Sequence, residues 1–160
     1  TAEGRPRILK IVISDNGRGM EPDFLEKVTD PFTTSRKSRH VGLGIPLLKQ
    51  SAELAGGNFS IKSAVNEGTE VCATFPVDSV DRIPAGNIPE ALTLLVASHP
   101  GITWEFRFAS ECEHFELNLA EVREVLKGVP ITNNHVLEWI QNTLDDGFKT
   151  VFGGVLDEVN

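Results

Sequence analysis

The segment 14–44, which reads SDNGRGMEPDFLEKVTDPFTTSRKSRHVGLG, decides how the first half of the chain folds. It contains three short motifs in order: DNGRGM at 15–20, DPFTTS at 30–35 and GLG at 42–44. A carboxylate at the end of a strand can accept a hydrogen bond from an exocyclic amine, and neighbouring glycines let the backbone approach a flat ring. Free N–H groups at a helix start favour an anion. Together the motifs predict a cleft for a purine nucleotide, with its phosphates under a mobile loop.

These motifs resemble those of the GHKL ATPases, the superfamily of gyrase, heat-shock chaperones, histidine kinases and mismatch-repair ATPases. DNGRGM is similar to their first glycine box, DPFTTS to the phenylalanine box of histidine kinases, and GLGIPLLKQ to their second glycine box. The sequence Glu67-Gly68-Thr69 resembles their last glycine–threonine motif, so the resemblance covers about residues 7 to 77. A single glycine motif would equally suit an ordinary turn, but four in order with compatible spacing favour the family.

For the first half of the chain, the resemblance implies an α/β (α+β) two-layer sandwich of the histidine-kinase type. Residues 7–14, RILKIVIS, are rich in β-branched side chains and almost continuously apolar. This pattern predicts a strand that is buried on both faces. The other expected elements are a short helix from Pro22, a helix from Ile45 to Gly57, strands around Phe59 and Phe75, and a turn at 66–68.

The resemblance also implies an ATP site with bound Mg²⁺. Asp15 would accept the hydrogen bond of the adenine amino group, Gly17 and Gly19 would give the ring room, and Thr69 would hold adenine from the opposite wall. Phe32 resembles an anchor of the loop more than a ligand contact. The backbone N–H groups at 42–45 would face the phosphates. The expected ATP-binding residues are Asp15, Gly17, Gly19, Met20, Phe32, Thr33, Thr34, Gly42, Leu43, Gly44, Ile45 and Thr69.

The loop at 32–41 has two interpretations. Its basic residues, Arg36, Lys37, Arg39 and His40, stand among serines and threonines without any periodicity. They could form a solvated basic loop, or a lid whose cations and hydroxyls contact phosphates. The position of the loop between two glycine motifs favours the lid.

The sequence assigns no catalytic residue and no metal ligand. In the family, the asparagine box with its metal-binding Asn and its acidic residue lies on a helix before the first glycine box. The fourteen residues before Asp15 predict no such helix, and none of the four histidines stands in a phosphoacceptor pattern. Because the first residue is Thr1, we expect the chain to be part of a longer protein.

The amino-acid composition is typical of a globular protein and gives no indication of a membrane-spanning or nucleic-acid-binding one. The chain has 160 residues with 40% hydrophobic and 24% charged residues, as in ordinary globular proteins. No apolar run reaches the length of a membrane span and no signal peptide is recognisable, which predicts a cytoplasmic protein. Cys72 and Cys112 match no metal-ligand spacing and are expected to be reduced packing residues. The net charge of −8 argues against nucleic acid as a partner.

The net negative charge lies entirely in the second half of the chain. Residues 1–80 carry 10 basic and 10 acidic residues, whereas residues 81–160 carry 5 and 13. This shift, with the Pro- and Gly-rich stretch at 76–89, predicts a domain boundary. The expected domains are the C-terminal part of an ATP-binding domain at 1–77, a linker at 78–88, a small acidic α+β module at 89–148 and a tail at 149–160.

The sequence of the second module predicts helices and strands, but no residue pattern in it indicates a catalytic or ligand-binding site. A helix is expected at 89–98, a hairpin with alternating aromatic residues at 102–119, a helix from the Asn118 cap to Gly128, and a helix from Asn134 to about Asp145. Ordinary packing is favoured over a ligand platform for the aromatic residues. The acidic residues are expected to form a solvated face, which could meet a protein partner.

Three functions remain possible. The first is an ATP-binding histidine-kinase-like ATPase domain of bacterial two-component signalling, which binds Mg-ATP under a lid for regulatory phosphotransfer. The second is a module that binds ATP or ADP without hydrolysis and regulates a partner protein. A DNA-repair or topoisomerase ATPase is the poorest of the three, because the loop and the second glycine box resemble those of kinases and the second half is acidic.

Overall fold

The computed structural model describes residues 7–30, 43–82, 84–153 and 156. The chain divides between residues 83 and 84 into two compact units, here called unit 1 and unit 2. The division falls inside the stretch where the charge composition changes. Each unit contains an antiparallel sheet of its own.

Unit 1 is a mixed α/β structure built on three strands. Its described elements are β1 (Ile8–Asp15), α1 (Pro22–Leu25), α2 (Gly44–Leu54), β2 (Phe59–Ala64) and β3 (Gly68–Pro76). The strand order is β1-β3-β2, with both pairs antiparallel. The expected turn between β2 and β3 is confirmed, and Asn66 adopts a left-handed φ of 63° in it.

One face of this sheet packs on α2. The buried residues of the cluster are Ala52 and Ala55 of the helix side and Ala73 and Phe75 of β3, with partly buried neighbours Leu9, Ile11, Leu48 and Phe59. The helix ends as expected at the glycine pair, where the Gly57 N–H donates to the Ala52 carbonyl at 2.8 Å. The C-terminal end of α2 therefore lies beside the end of β3 that is farthest from Thr69.

The prediction that β1 is buried on both faces is wrong for the residues that the structure describes. Ile8, Val12 and Ile13 are 50%, 48% and 56% exposed. Within the described ranges β1 pairs on one side only, with β3, so it forms an edge of the sheet. The apolar composition of β1 indicates that its side chains are suited to burial. Whether they are buried depends on which elements cover the two faces of the strand.

Unit 2 consists of three helices and a hairpin. Its described elements are α3 (Ile88–Ser98), β4 (Glu105–Ala109), β5 (His114–Asn118), α4 (Leu119–Leu126) and α5 (Asn134–Phe152). Asn87, Asn118 and Asn133 cap the three helices, each accepting a backbone N–H on its side-chain oxygen at 2.9–3.1 Å. The Asn118 cap and the aromatic hairpin expected from the sequence are confirmed.

The core of unit 2 is aromatic and well closed. Leu119, Ile140, Leu144 and Val96 have fully buried side chains. Phe108 stacks on Phe115 with ring centroids 5.5 Å apart. The alternating residues of the hairpin thus serve packing, in agreement with the favoured interpretation.

Two helix ends differ from the prediction. The last helix does not stop near Asp145 but continues to Phe152, so part of the expected tail is helical. The apolar stripe continues through the buried residues Leu144, Gly147 and Val151, although two aspartates interrupt it in the sequence. α4 ends at Leu126, two residues before Gly128, because Lys127 already has a left-handed φ of 46°.

Candidate functional site

The candidate site lies at the end of the unit 1 sheet where β1 stops. Asp15, the last residue of β1, is directly opposite Thr69 of β3, and Thr69 is opposite Ser63 of β2. Residues opposite one another in an antiparallel sheet share a face. The three polar side chains therefore stand in one row, on the face that packs on α2.

The Asp15 carboxylate is held by its own loop. The Gly17 N–H donates to Asp15 Oδ1 at 2.8 Å. A Cβ at Gly17 would lie 2.6 Å from the same oxygen, so a larger residue there would crowd the carboxylate. Asp15 is exposed. Because the oxygens of an ionised carboxylate only accept hydrogen bonds, its second oxygen can accept one from a ligand donor.

Two further glycines allow the backbone segments around Asp15 to touch. Gly19 has a φ of 65°, and a Cβ there would lie 1.8 Å from the Ala64 carbonyl oxygen. Gly68 has a φ of 98°, and a Cβ there would lie 1.9 Å from the Asp15 carbonyl oxygen. These positions require glycine for two reasons, the left-handed backbone and the close approach. The loop after β1 and the β2–β3 turn thereby form one packed rim.

A backbone hydrogen bond joins the two sides of this rim. The Asn66 N–H donates to the Arg18 carbonyl oxygen at 2.8 Å. The bond connects the centre of the DNGRGM motif to the turn before Thr69. The first and last of the motifs quoted above, which are about fifty residues apart in sequence, therefore form a single piece of structure.

Ser63 is a site residue that the sequence reasoning missed. Its hydroxyl oxygen lies 2.9 Å from the Gly68 carbonyl oxygen and 2.9 Å from Thr69 Oγ1. A signal was available, because Ser63 follows Phe59 and Ile61 at the inward positions of β2 and is the polar exception among them.

A shallow pocket of about 370 Å³ lies at this end of the sheet. All three strands contribute residues to this pocket. Successive side chains of a strand point to opposite faces, so the charged residues of β2 and β3 that line it lie on the face opposite to the polar row. Its lining includes Asp15, Lys62, Ser63, Thr69 and Glu70.

The remaining predicted site residues are distributed as follows. Met20 is half-buried in the loop that follows β1. Leu43 stands at the N-cap of α2, where Gly44 and Ile45 form the first turn. Phe32, Thr33, Thr34 and Gly42 lie outside the described residues, as does the loop at 32–41.

The start of α2 has the features of an anion site. Leu43 provides no side-chain cap, and the first turn contains no acidic residue. A Cβ at Gly44 would meet nothing within 4 Å in the described structure. Uncapped N–H groups at a helix start favour a negatively charged partner.

The described ranges contain no group of three or more His, Cys, Asp or Glu side chains that could hold a metal ion. In the same ranges, no helix is long and apolar enough to cross a lipid bilayer.

Comparison with known proteins identifies what the first half of the chain is similar to. Residues 2–79 match the family model described as "Histidine kinase-, DNA gyrase B-, and HSP90-like ATPase". An uncharacterized sensor-like histidine kinase of Rhizobium meliloti is 40% identical over 77 residues, which cover 45% of this chain and 15% of that protein. Histidine protein kinase DivJ of Caulobacter vibrioides is 34% identical over 93 residues, 56% of this chain and 16% of the relative.

A third relative extends into unit 2. The autoinducer 2 sensor kinase/phosphatase LuxQ of Vibrio parahaemolyticus is 25% identical over 149 residues, 83% of this chain and 17% of the relative. The chain thus spans about one sixth of the length of these curated relatives.

Residues 2–79 of the chain belong to the histidine kinase-, DNA gyrase B- and HSP90-like ATPase family. This half is an ATP-binding, kinase-like domain, and its α/β fold is the one that the resemblance implied.

Proposed function

We propose that unit 1 binds Mg-ATP with adenine at the Asp15 end of the sheet. The observation that carries this proposal is the pairing of Asp15 with Thr69 across β1 and β3. It joins the first and last motifs of the family into one polar row, beside the rim in which Gly19 and Gly68 allow the backbone segments around Asp15 to touch. The Asp15 carboxylate would accept the hydrogen bond of the adenine amino group, and Thr69 would hold the ring from the other side.

The phosphates would bind at the start of α2. The N–H groups of Gly44 and Ile45 are at the positive end of the helix, and no acidic side chain of its first turn opposes an anion. Thr33, Thr34 and Gly42 would contribute from the neighbouring loop, with Phe32 as its anchor. Mg²⁺ would be held mainly through the phosphate oxygens, as is usual for this ion, and would offset their mutual repulsion.

The test of this proposal is a calorimetric titration of Mg-ATP and Mg-ADP into the wild-type chain and into Asp15→Asn. We expect the variant to lose about 1–3 kcal/mol of binding free energy, because an ionised hydrogen-bond acceptor is replaced by a neutral amide. Asp23→Asn is the matched control, since Asp23 is an exposed carboxylate on α1 of the same unit. Equal affinities of Asp15→Asn and the wild type would overturn the proposal.

For the whole protein, we propose a role in bacterial two-component signalling in the cytoplasm. The histidine kinases among the relatives support this role. Transfer of phosphate from ATP to a histidine of a protein partner is the expected reaction. The test incubates the intact protein with γ-³²P-ATP and looks for label on protein that is stable to alkali and labile to acid.

Regulation without turnover is the second candidate, and unit 2 is the observation that favours it. Unit 2 has a closed core of its own and contributes most of the acidic charge, with exposed carboxylates such as Glu111, Glu113 and Glu124. We propose that this acidic surface contacts a protein partner according to the nucleotide in unit 1. Capture of the same partner with ATP but not with ADP, in the absence of phosphate release, would favour this candidate.

A further inference from the structure

We infer that Ser63 is a specificity-determining residue of the nucleotide site, because it fixes the Thr69 hydroxyl as a hydrogen-bond acceptor toward the ligand. The inference rests on the proposed function. Its basis is the position of Ser63 Oγ, which is 2.9 Å from the Gly68 carbonyl oxygen and 2.9 Å from Thr69 Oγ1.

The direction of both hydrogen bonds follows from counting protons. A carbonyl oxygen can only accept, so the bond to Gly68 uses the single hydroxyl proton of Ser63. The contact between Ser63 and Thr69 then requires that Thr69 donates its own proton to Ser63. In the reverse arrangement, the oxygens of Ser63 and Gly68 would face each other at 2.9 Å without a proton between them, which costs free energy in a partly buried site.

This hydroxyl chain determines what Thr69 can offer a ligand. With its proton committed to Ser63, Thr69 has only lone pairs left for other partners. Asp15, directly across the strand pair, also only accepts when ionised. The polar row is therefore selective for a base whose 6-position carries N–H donors.

The functional group at the 6-position of the purine determines which nucleotide this selectivity favours. The 6-amino group of adenine supplies two N–H donors, whereas the 6-oxo group of hypoxanthine or guanine places an acceptor at the same position. When a bound base covers the polar row, an acceptor that faces these acceptors leaves polar groups without hydrogen-bond partners, which is a basis for rejecting a close analogue. Ser63 thus contributes to the preference for ATP over 6-oxo purine nucleotides without contacting the base itself.

The test compares Mg-ATP with Mg-ITP in the wild type and in Ser63→Ala. Removal of the Ser63 hydroxyl frees the Thr69 proton, which can then rotate toward a 6-oxo group. We expect the preference for ATP over ITP to fall about five-fold, the effect of one net hydrogen bond. Ser63→Thr keeps a hydroxyl and should retain the wild-type preference. An unchanged preference in Ser63→Ala would overturn the inference.

Ser60→Ala is the matched control, because Ser60 is an exposed serine of the same strand whose side chain points to the other face of the sheet. It should leave the ATP-to-ITP ratio unchanged. A fall of the ratio in Ser60→Ala equal to that in Ser63→Ala would also contradict the inference, since the effect would then come from the strand and not from the hydroxyl chain.

A measurement without nucleotide separates this inference from the proposed function. If the wild type binds neither nucleotide, the proposed function fails. The hydrogen bond from Thr69 to Ser63 is then tested by hydroxyl-proton exchange in NMR spectra of the protein without nucleotide. A slowly exchanging Thr69 hydroxyl that becomes fast in Ser63→Ala supports the assignment of donor and acceptor. A Thr69 hydroxyl that already exchanges fast in the wild type overturns it.

Discussion

Unit 1 and unit 2 use their apolar side chains in different ways. Unit 2 buries large side chains completely, among them Ile140 and Leu144, whereas the described core of unit 1 is centred on Ala52, Ala73 and Phe75. Unit 1 also leaves Ile13 of its edge strand 56% exposed. The comparison indicates that unit 2 is held mainly by its own core, whereas unit 1 relies more on the close backbone contacts around Asp15.

The largest expected effect is in the core of unit 2. Ile140→Ala should lower the free energy of unfolding of unit 2 by about 2–5 kcal/mol, because a fully buried side chain is replaced by a cavity. Tryptophan fluorescence in urea measures this unit selectively, since both tryptophans of the chain, Trp104 and Trp139, belong to it. Val125→Ala, at a position that is 78% exposed, is the control and should cost less than about 0.5 kcal/mol. Equal losses of unfolding free energy in Ile140→Ala and Val125→Ala would contradict the view that unit 2 is held by its buried core.

The second prediction concerns backbone contact in unit 1. Gly68→Ala should destabilise unit 1 by about 3 kcal/mol, because its Cβ would lie 1.9 Å from the Asp15 carbonyl oxygen at a φ of 98°. Far-UV circular dichroism should show earlier melting of part of the chain, while the tryptophan midpoint stays unchanged. Gly44→Ala, where a Cβ meets nothing within 4 Å, should keep the wild-type melting curve. A stable Gly68→Ala variant would show that the rim around Asp15 is not required for folding.

A glycine inside the last helix gives the matching test in unit 2. Gly147 is buried on α5, and a Cβ there would lie 2.4–2.6 Å from ring carbons of Phe115. Gly147→Ala should therefore cost about 2 kcal/mol through overpacking, although alanine has the higher helix propensity. The measurement is the urea midpoint of tryptophan fluorescence, with Gly101→Ala as the neutral control at an open position. A more stable Gly147→Ala variant would mean that Phe115 can move aside freely.

The smallest expected effect is a surface ion pair at the edge of unit 1. The hydrogen bond from the Arg7 guanidinium lowers the pKa of the Asp78 carboxyl below its ordinary value of 3.8. A lowered pKa in the folded state stabilises the protein above the ordinary value, and this contribution is lost as the pH falls through the lowered value. Asp78→Asn should therefore flatten the acid-side decline of unit 1 stability slightly, and Asp81→Asn should not. Identical pH profiles for Asp78→Asn and the wild type would show that solvent screens the pair completely.

The local backbone geometry at the Asp15 end of unit 1 could be predicted from the sequence. Asp15, Gly17, Gly19 and Thr69 belong to local motifs, and such motifs specify backbone geometry directly through glycine and side-chain chemistry. Their mutual contact could be expected only from the resemblance, because strand register joins residues that are far apart in the chain.

Other features depend on tertiary contacts that local patterns do not contain. The exposure of Ile13 depends on which elements cover β1, and the continuation of α5 past Asp145 accompanies the burial of Gly147 and Val151. Ser63 is the polar exception at the inward positions of β2, but its contact with Thr69 follows from the strand register and not from that local pattern. Sequence periodicity predicts the faces of an element, whereas partners across the fold decide where it ends and what its polar residues contact.

The most direct test of the central claim is an NMR titration of the ¹⁵N-labelled chain with Mg-ATP. We predict that the amide signals of Gly17 and Thr69 shift in a saturable manner, and that Asp15→Asn weakens these shifts strongly while Asp23→Asn does not. Unchanged Gly17 and Thr69 signals at saturating Mg-ATP, or equal titration of Asp15→Asn and the wild type, would contradict the claim that the Asp15 end of unit 1 is the nucleotide site.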